Sequence, residues 1–292
     1  MSATLTLRGA STAMFSTWYM AEQWGVLFDC GDGASAALMH KARKVKHVFL
    51  SHADRDHIAG LLAYQQLYGG PRLTVHYPKD SNSFPALADF CRRFDPWIEG
   101  TRWHPMADGA LVGIGGGRRV RAMENSHIAG VRPGLKSLSY FVEQGVRKLR
   151  PELQGMDGTD IAALREEQGE DAISTRHHHL ALAYSADTGV LNDGRYDGAE
   201  ILIHEATFID RADSSEDDPT RFRHSVLSDV LDMVVQAQPG HLVLGHFSGR
   251  YSSEQIAAAV AEGCAARGLT LPISLVMPGA VSHDILAQAR QA

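Results

Sequence analysis

Ser51-His52-Ala53-Asp54-Arg55-Asp56-His57 places two imidazoles and two carboxylates in the six residues from His52 to His57. Imidazole nitrogen and carboxylate oxygen are common protein donors to zinc and related divalent ions, so this density points to a metal centre. A plainer alternative is that Ser51 or Asp54 caps a helix while both histidines make ordinary hydrogen bonds. Four such groups together favour the metal. The run Val45-Lys-His-Val-Phe-Leu50 reads as a buried strand and Ile58-Ala-Gly-Leu-Leu62 as a helix start, which puts the donors on a strand-to-helix loop.

One loop cannot surround two ions, and further donors stand at the ends of other predicted strands. His127 follows the run Arg119–Met123, Asp187 follows Leu180–Tyr184, and His246 ends the stretch Leu242-Val-Leu-Gly245. Each alone is an ordinary structural residue; their common placement after strands is what groups them.

The elements that must position these groups alternate along the chain. Apolar or alternating runs at Thr4–Leu7, Gly25–Phe28, Lys46–Leu50, Arg72–Tyr77, Arg119–Met123, Ser137–Val142, Leu180–Tyr184, Ile201–His204 and His241–Leu244 read as strands. Helical periodicity marks Ile58–Leu67, Ala86–Phe94, Ser225–Gln236, Ser253–Arg267 and His283–Gln291. An α/β chain with two sheets and helices on their outer faces is the simplest packing, as one domain over residues 1–292. Gly113-Ile-Gly-Gly-Gly117 lacks the form of a phosphate loop and reads as a hairpin turn. Residues 145–179 form a polar, arm-like inserted excursion with a short helix near Thr159–Glu167. Within it, His177, His178 and His179 alternate sides on any strand, so they cannot all hold one ion.

A chain of 292 residues with 44% hydrophobic content buries a sizeable core. Its beginning has no basic segment leading into an apolar stretch, and no apolar run approaches the roughly 18 residues of a membrane span, so the expected location is the cytoplasm. Cys30, Cys91 and Cys264 are too few and too scattered for a disulfide framework. A net charge of −6 disfavours a broadly basic nucleic-acid surface, so any polyanion must be attracted locally.

The loop at His52–His57 resembles the HxHxDH signature of the metallo-β-lactamase superfamily, with Asp54 where the second histidine usually stands. Tyr184-Ser-Ala-Asp-Thr188, Ile203-His-Glu-Ala-Thr-Phe208 and His246-Phe-Ser-Gly-Arg-Tyr251 are similar to the YSGDT, HEATF and HFSxRY elements of ribonuclease Z, and the pair His224-Ser225 extends the likeness over most of the chain. The resemblance implies a four-layer αβ/βα sandwich of two mixed sheets, two divalent ions (zinc by family), a homodimer, and endonucleolytic cleavage at the 3′ end of a tRNA precursor. It assigns His52, Asp54 and His127 to one ion, Asp56, His57 and His246 to the other, and Asp187 to a bridge between them. Asp56 would also take a proton from the attacking water, and Glu205 would hold His224 as proton donor to the leaving oxygen. Arg250 is either a phosphate contact or half of a surface salt bridge.

Two departures bear on function. Asp54 replaces a neutral nitrogen donor with an anionic oxygen, which shifts preference from zinc toward manganese, iron or magnesium. The 145–179 excursion carries Arg147, Lys148, Arg150 and Arg165 but also seven acids, a poor composition for gripping tRNA. A smaller phosphodiester, such as a cyclic nucleotide, is therefore an alternative substrate, and a catalytically weakened metal-binding homologue is a third reading.

Overall fold

The computed structural model describes residues 5–128, 136–214 and 223–291. Its strands fall into two mixed sheets. The first has β1 (Leu7–Thr12), β2 (Ser16–Ala21), β3 (Val26–Phe28), β4 (His47–Phe49), β5 (Thr74–Pro78) and β6 (Arg102–Met106) in sequential order. The hairpins from β1 to β3 are antiparallel, and β3 through β6 run parallel. The second sheet holds β7 (Leu111–Gly115), β8 (Arg118–Glu124), β9 (Leu138–Leu149), β10 (Ser174–Tyr184), β11 (Leu202–Glu205), β12 (Leu242–Gly245), β13 (Pro272–Leu275) and β14 (Arg290–Gln291). There the four strands from β10 to β13 are parallel, with antiparallel pairs on both flanks.

Parallel neighbours need crossovers, and helices supply most of them. In the first sheet these are α1 (Ala34–Leu38), α2 (Arg55–Ile58), α3 (Leu61–Tyr68) and α4 (Ser83–Phe94). After α5 (Gly158–Gln168) and α6 (Glu170–Ile173) in the excursion, α7 (Leu227–Ala237) and α8 (Ser253–Ala265) serve the second sheet. Period-two alternation then sorts adjacent residues into different layers. Tyr19, Phe28, Phe49, Tyr140 and Tyr184 fill the space between the sheets, while Trp18, Leu27 and Val48 face the first helical layer and Phe141 the second. The order is helix, sheet, sheet, helix: the four-layer metallo-β-lactamase sandwich.

Some elements differ from the sequence reading. The first strand begins at Leu7 rather than lying over Thr4–Leu7, because its register is set by pairing Leu7 with Ala21 across a short turn; Thr4 lies outside the described residues. His283–Gln291 is not a helix but a single 3₁₀ turn at Leu286–Gln288 followed by β14, since Ile285 inserts between the sheets and Arg290 pairs with Ile273. β9 and β10 run on as a paired ribbon to Leu149 and Ser174, so residues 145–179 are an extended hairpin with α5 and α6 at its end. Gly116 and Gly117 turn between β7 and β8, both at positive φ. No helix among the described residues is long and apolar enough to cross a membrane.

The expected helix Ile58–Leu67 is broken after Ile58, and Gly60 explains the break. A Cβ there would stand 2.1 Å from the carbonyl oxygen of Gly31, which is backbone and cannot swing away. This contact presses the donor loop against the segment after β3. Gly60→Ala should cost about 2–3 kcal/mol by overpacking; urea denaturation measures it, and an unchanged midpoint would contradict the tight backbone approach.

Candidate metal centre

The donors gather because each follows the carboxyl end of a strand, where α/β sheets open a crevice. β4 leads to His52 and the loop carrying Asp54, Asp56 and His57; β8 leads to His127, β10 to Asp187 and β12 to His246, while Glu205 ends β11. Four non-glycine residues in this region, Met14, Asp29, Ala186 and His246, have φ between 53° and 70°, a conformation that L-residues tolerate poorly.

Two donor sets share one carboxylate. Asp56, His57, Asp187 and His246 form the first, and His52, His127 and Asp187 the second, the donor atoms of each set lying within 4.8 Å of one another. Asp187 Oδ2 is 3.2 Å from His57 Nε2 and 3.7 Å from His52 Nε2, and its Oδ1 is 3.2 Å from His246 Nε2. Asp56 Oδ2 lies 3.3 Å from His246 Nε2 and 3.5 Å from His57 Nε2. Asp54 stands at the rim: its half-exposed carboxylate is 3.3 Å from His127 Nε2 and 3.7 Å from His52 Nε2, outside the set that includes Asp187.

The hydrogen bonds fix all four imidazoles in one tautomer. Ser51 gives its hydroxyl to Asp29, so its oxygen accepts from His52 Nδ1 (2.9 Å). His57 Nδ1 donates to Asp29 Oδ2 (2.8 Å) and His127 Nδ1 to the Arg223 carbonyl (3.0 Å). Thr207 gives its hydroxyl to Glu205 (2.6 Å), so its oxygen accepts from His246 Nδ1 (2.9 Å). Every Nε2 is thereby left with a lone pair facing the centre, and those of His52 and His57 are buried with no hydrogen-bond partner. Lone pairs converging beside shared carboxylates fit divalent ions, each imidazole oriented by a partner on its far side.

Charge leads to the same reading. Burial opposes a charge on Asp187, yet the imidazoles of His246, His57 and His52 hold its carboxyl well below the usual range. Burial likewise opposes charging His57, but Asp187 and Asp29 outweigh it and pull its pKa well up. His52 is driven well down by burial and by its neighbouring imidazoles. Such buried carboxylates demand a cation, and dications meet that demand while leaving the imidazoles neutral.

Beside the second set, Glu205 accepts from the Thr188 amide (2.8 Å), the Thr207 hydroxyl and His224 Nδ1 (3.1 Å). Burial works against a proton on His224, but the Glu205 carboxylate dominates and lifts its pKa to about 9, so the imidazole carries its proton at neutral pH. Its exposed edge opens onto a pocket of about 310 Å³ lined also by Ser126, Leu191, Arg211 and Ser214.

Other sequence candidates lie elsewhere. Arg250 is exposed, 3.7 Å from Asp213, with its guanidinium over the rings of Phe208 and Tyr251. His177 and His178 are exposed, and His179 pairs with Glu200 at 2.9 Å, so this tract is a polar strand segment. The three cysteines are buried and free. The residue sequence reasoning missed is Asp29. It is wholly buried and accepts from the Ser51 amide and hydroxyl, His57 and Tyr184. A lone acid directly after the apolar run Val26–Phe28 was its only signal.

The fold is that of the metallo-β-lactamases, and a family model described as a beta-lactamase superfamily domain matches residues 25–150. Over most of its length the chain resembles ribonuclease Z. The ribonuclease Z of Exiguobacterium sibiricum is 29% identical over 257 residues, covering 78% of this chain and 81% of that protein. That of Halorubrum lacusprofundi is 27% identical over 78% and 79%. Among solved structures, the short form of human tRNase Z aligns over 96% of this chain and 99% of its own with a TM-score of 0.59 at 19% identity, which speaks for the fold.

Asp29→Asn replaces an acceptor of four donors by an amide that cannot accept them all. Divalent-ion affinity should fall about 10–100-fold, measured by calorimetric titration of metal-free protein; undiminished affinity would remove Asp29 from the support of the centre.

Proposed function

We propose that this metal-dependent hydrolase is a phosphodiesterase of the ribonuclease Z type, cutting a phosphodiester at the 3′ end of a tRNA precursor. The observation that carries the reading is the pair of donor sets sharing Asp187, with the protonated Glu205–His224 pair beside them. His52, His127 and Asp187, joined by Asp54, would hold one divalent ion; Asp56, His57, His246 and Asp187 would hold the other. When bound, the ions would supply Lewis-acid polarisation of the phosphoryl oxygens and an activated water. Asp56 would accept a proton from the attacking water while the water oxygen bonds to phosphorus. His224 gives its proton to the leaving 3′ oxygen as the P–O bond breaks, and Glu205 stabilises the imidazole through that transfer. A homodimer is the assembly this reading expects.

A second reading keeps the chemistry but shrinks the substrate, and the excursion favours it. Residues 145–179 hold five Lys and Arg against seven Asp and Glu, a balance of 5 − 7 = −2. Arg147 is spent on Asp171 (2.7 Å), Arg165 on Glu170 (2.7 Å), and Arg150 on Glu152 and the Asp171 carbonyl. Guanidiniums already held by carboxylates make a weak phosphate clamp. Cleavage of a 3′-extended pre-tRNA beside bis-p-nitrophenyl phosphate separates the two. Cut pre-tRNA supports the first, and turnover of the small ester with intact pre-tRNA supports the second. Asp187→Ala should lower either activity by more than ~100-fold, beyond the loss of an outer partner; unchanged activity would sink both.

Asp54 governs which ion is preferred. An anionic oxygen beside His52 and His127 lowers the relative affinity for zinc. Competition between zinc and manganese, read by metal content after dialysis, should show Asp54→His gaining zinc preference over the parent chain. Equal preference in both would make Asp54 a bystander.

A further inference from the structure

The tip joining β1 to β2 breaks the usual chemistry of tight hairpins. Thr12 pairs with Ser16, leaving Ala13, Met14 and Phe15 as the turn, closed by the Phe15 amide on the Thr12 carbonyl at 3.0 Å. Turns of this size commonly use glycine for the residue with positive φ, yet here Met14 takes φ 70°. The two large apolar side chains at the tip face solvent, with Met14 74% and Phe15 69% exposed. Such violations of local preference are expected where a site requires them.

The tip is tied to the metal centre through its backbone. Met14 N–H donates to Asp56 Oδ2 at 3.0 Å, and Ala13 N–H donates to the carbonyl of Phe247, the neighbour of His246. These bonds hold the strained turn in place and leave the side chains free to meet a ligand. Gly249 lies beside the ring, where a Cβ would stand 3.7 Å from Phe15 Cε2. Beside it runs a largely apolar trough of about 470 Å³, lined by Phe15, Trp18, Gly33, Pro278 and Ala280.

We propose that Phe15 is a specificity-determining residue that stacks against a nucleobase attached to the phosphate bound at the Asp187-centred site. The inference rests on the phosphodiesterase reading and adds to it that the substrate is a nucleotide with its base on the β1–β2 side. Aromatic stacking accepts any base, because each has a π face, and requires a rigid platform near the phosphate site, which the Asp56 and Phe247 bonds provide. Neither the metal donors nor the Glu205–His224 pair supplies this contact.

The test is calorimetric binding of adenosine 5′-monophosphate and ribose 5-phosphate to the metal-loaded protein, two ligands that share a phosphate and differ in the base. The parent chain should bind the nucleotide about tenfold more tightly, as one base–aromatic stack provides. Phe15→Ala should bring the ratio close to one, and Phe15→Tyr should keep it. Because Phe15 is exposed, neither substitution removes core packing. A ratio near one in the parent chain, or a tenfold ratio persisting in Phe15→Ala, would overturn the proposal. Cleavage of 3′-extended pre-tRNA and of bis-p-nitrophenyl phosphate by the parent chain is measured alongside: absence of both counts against the phosphodiesterase reading, whereas the binding ratio decides the stacking contact by itself.

Discussion

Asp29 is the interaction on which the arrangement of the centre depends, because one buried carboxylate after β3 joins the two ends of the donor loop to β10 of the opposite sheet. It accepts from Ser51 at the end of β4, from His57 on α2 and from Tyr184 on β10 of the opposite sheet. A buried anion without donors would be very costly, whereas one with four is stable and rigid. Its demand for donors therefore fixes the spacing of the two sheets at their open edge. The same bonds set the tautomers of His57 directly and of His52 through Ser51. Where the metal donors point is thus decided before any ion arrives.

A second layer of support comes from Thr207 and Glu205. The Thr207 hydroxyl has one proton and gives it to Glu205, which leaves its oxygen to accept from His246. Glu205 is in turn the partner of His224. The metal half and the proton-donor half of the site are consequently not independent. Changing Glu205 would release Thr207 to rotate and reorient His246, so a loss on that substitution mixes two effects. The Thr207 hydroxyl is the connection between them.

Much of the centre was legible in the sequence because strand ends and chemically distinctive residues coincide. His52, Asp56, His57, His127, Asp187 and His246 sit in the loops that follow strand-like runs, and the structure brings them within reach of one another. Asp29 occupies the same kind of position but is a single carboxylate without a neighbouring histidine, so no local pattern marked it. Thr207 was visible inside the His204–Phe208 stretch, yet its role depends on a shared proton that only three-dimensional contacts reveal. The inner strands β3, β4, β5 and β8 to β12 were legible as apolar or alternating runs, whereas the inner strands β2 and β13, the exposed edge β6 and the glycine-rich β7 were not. The terminal segment showed helical spacing, but the open edge of β13 and the core site for Ile285 outweighed that weak local preference.

The distribution of backbone strain separates what supports the metals from what meets the substrate. Asp29, Ala186 and His246 adopt positive φ inside the fold, where hydrogen bonds and packing overdetermine them, and their strain serves to aim donors. Met14 has the same conformation on the surface, with fewer contacts to compensate a cost of order 1 kcal/mol. The Asp56 carboxylate that accepts its amide also faces His57 and His246, so the tip and the donor set hold one another in register. A residue that displaces the tip therefore acts on Asp56 as well, and a change in ligand preference at Phe15 that leaves the backbone bond intact acts on recognition alone. Exposed, apolar and anchored to the charged centre, the β1–β2 turn thus holds Asp56 through its backbone while its side chains stay open to a ligand bound there.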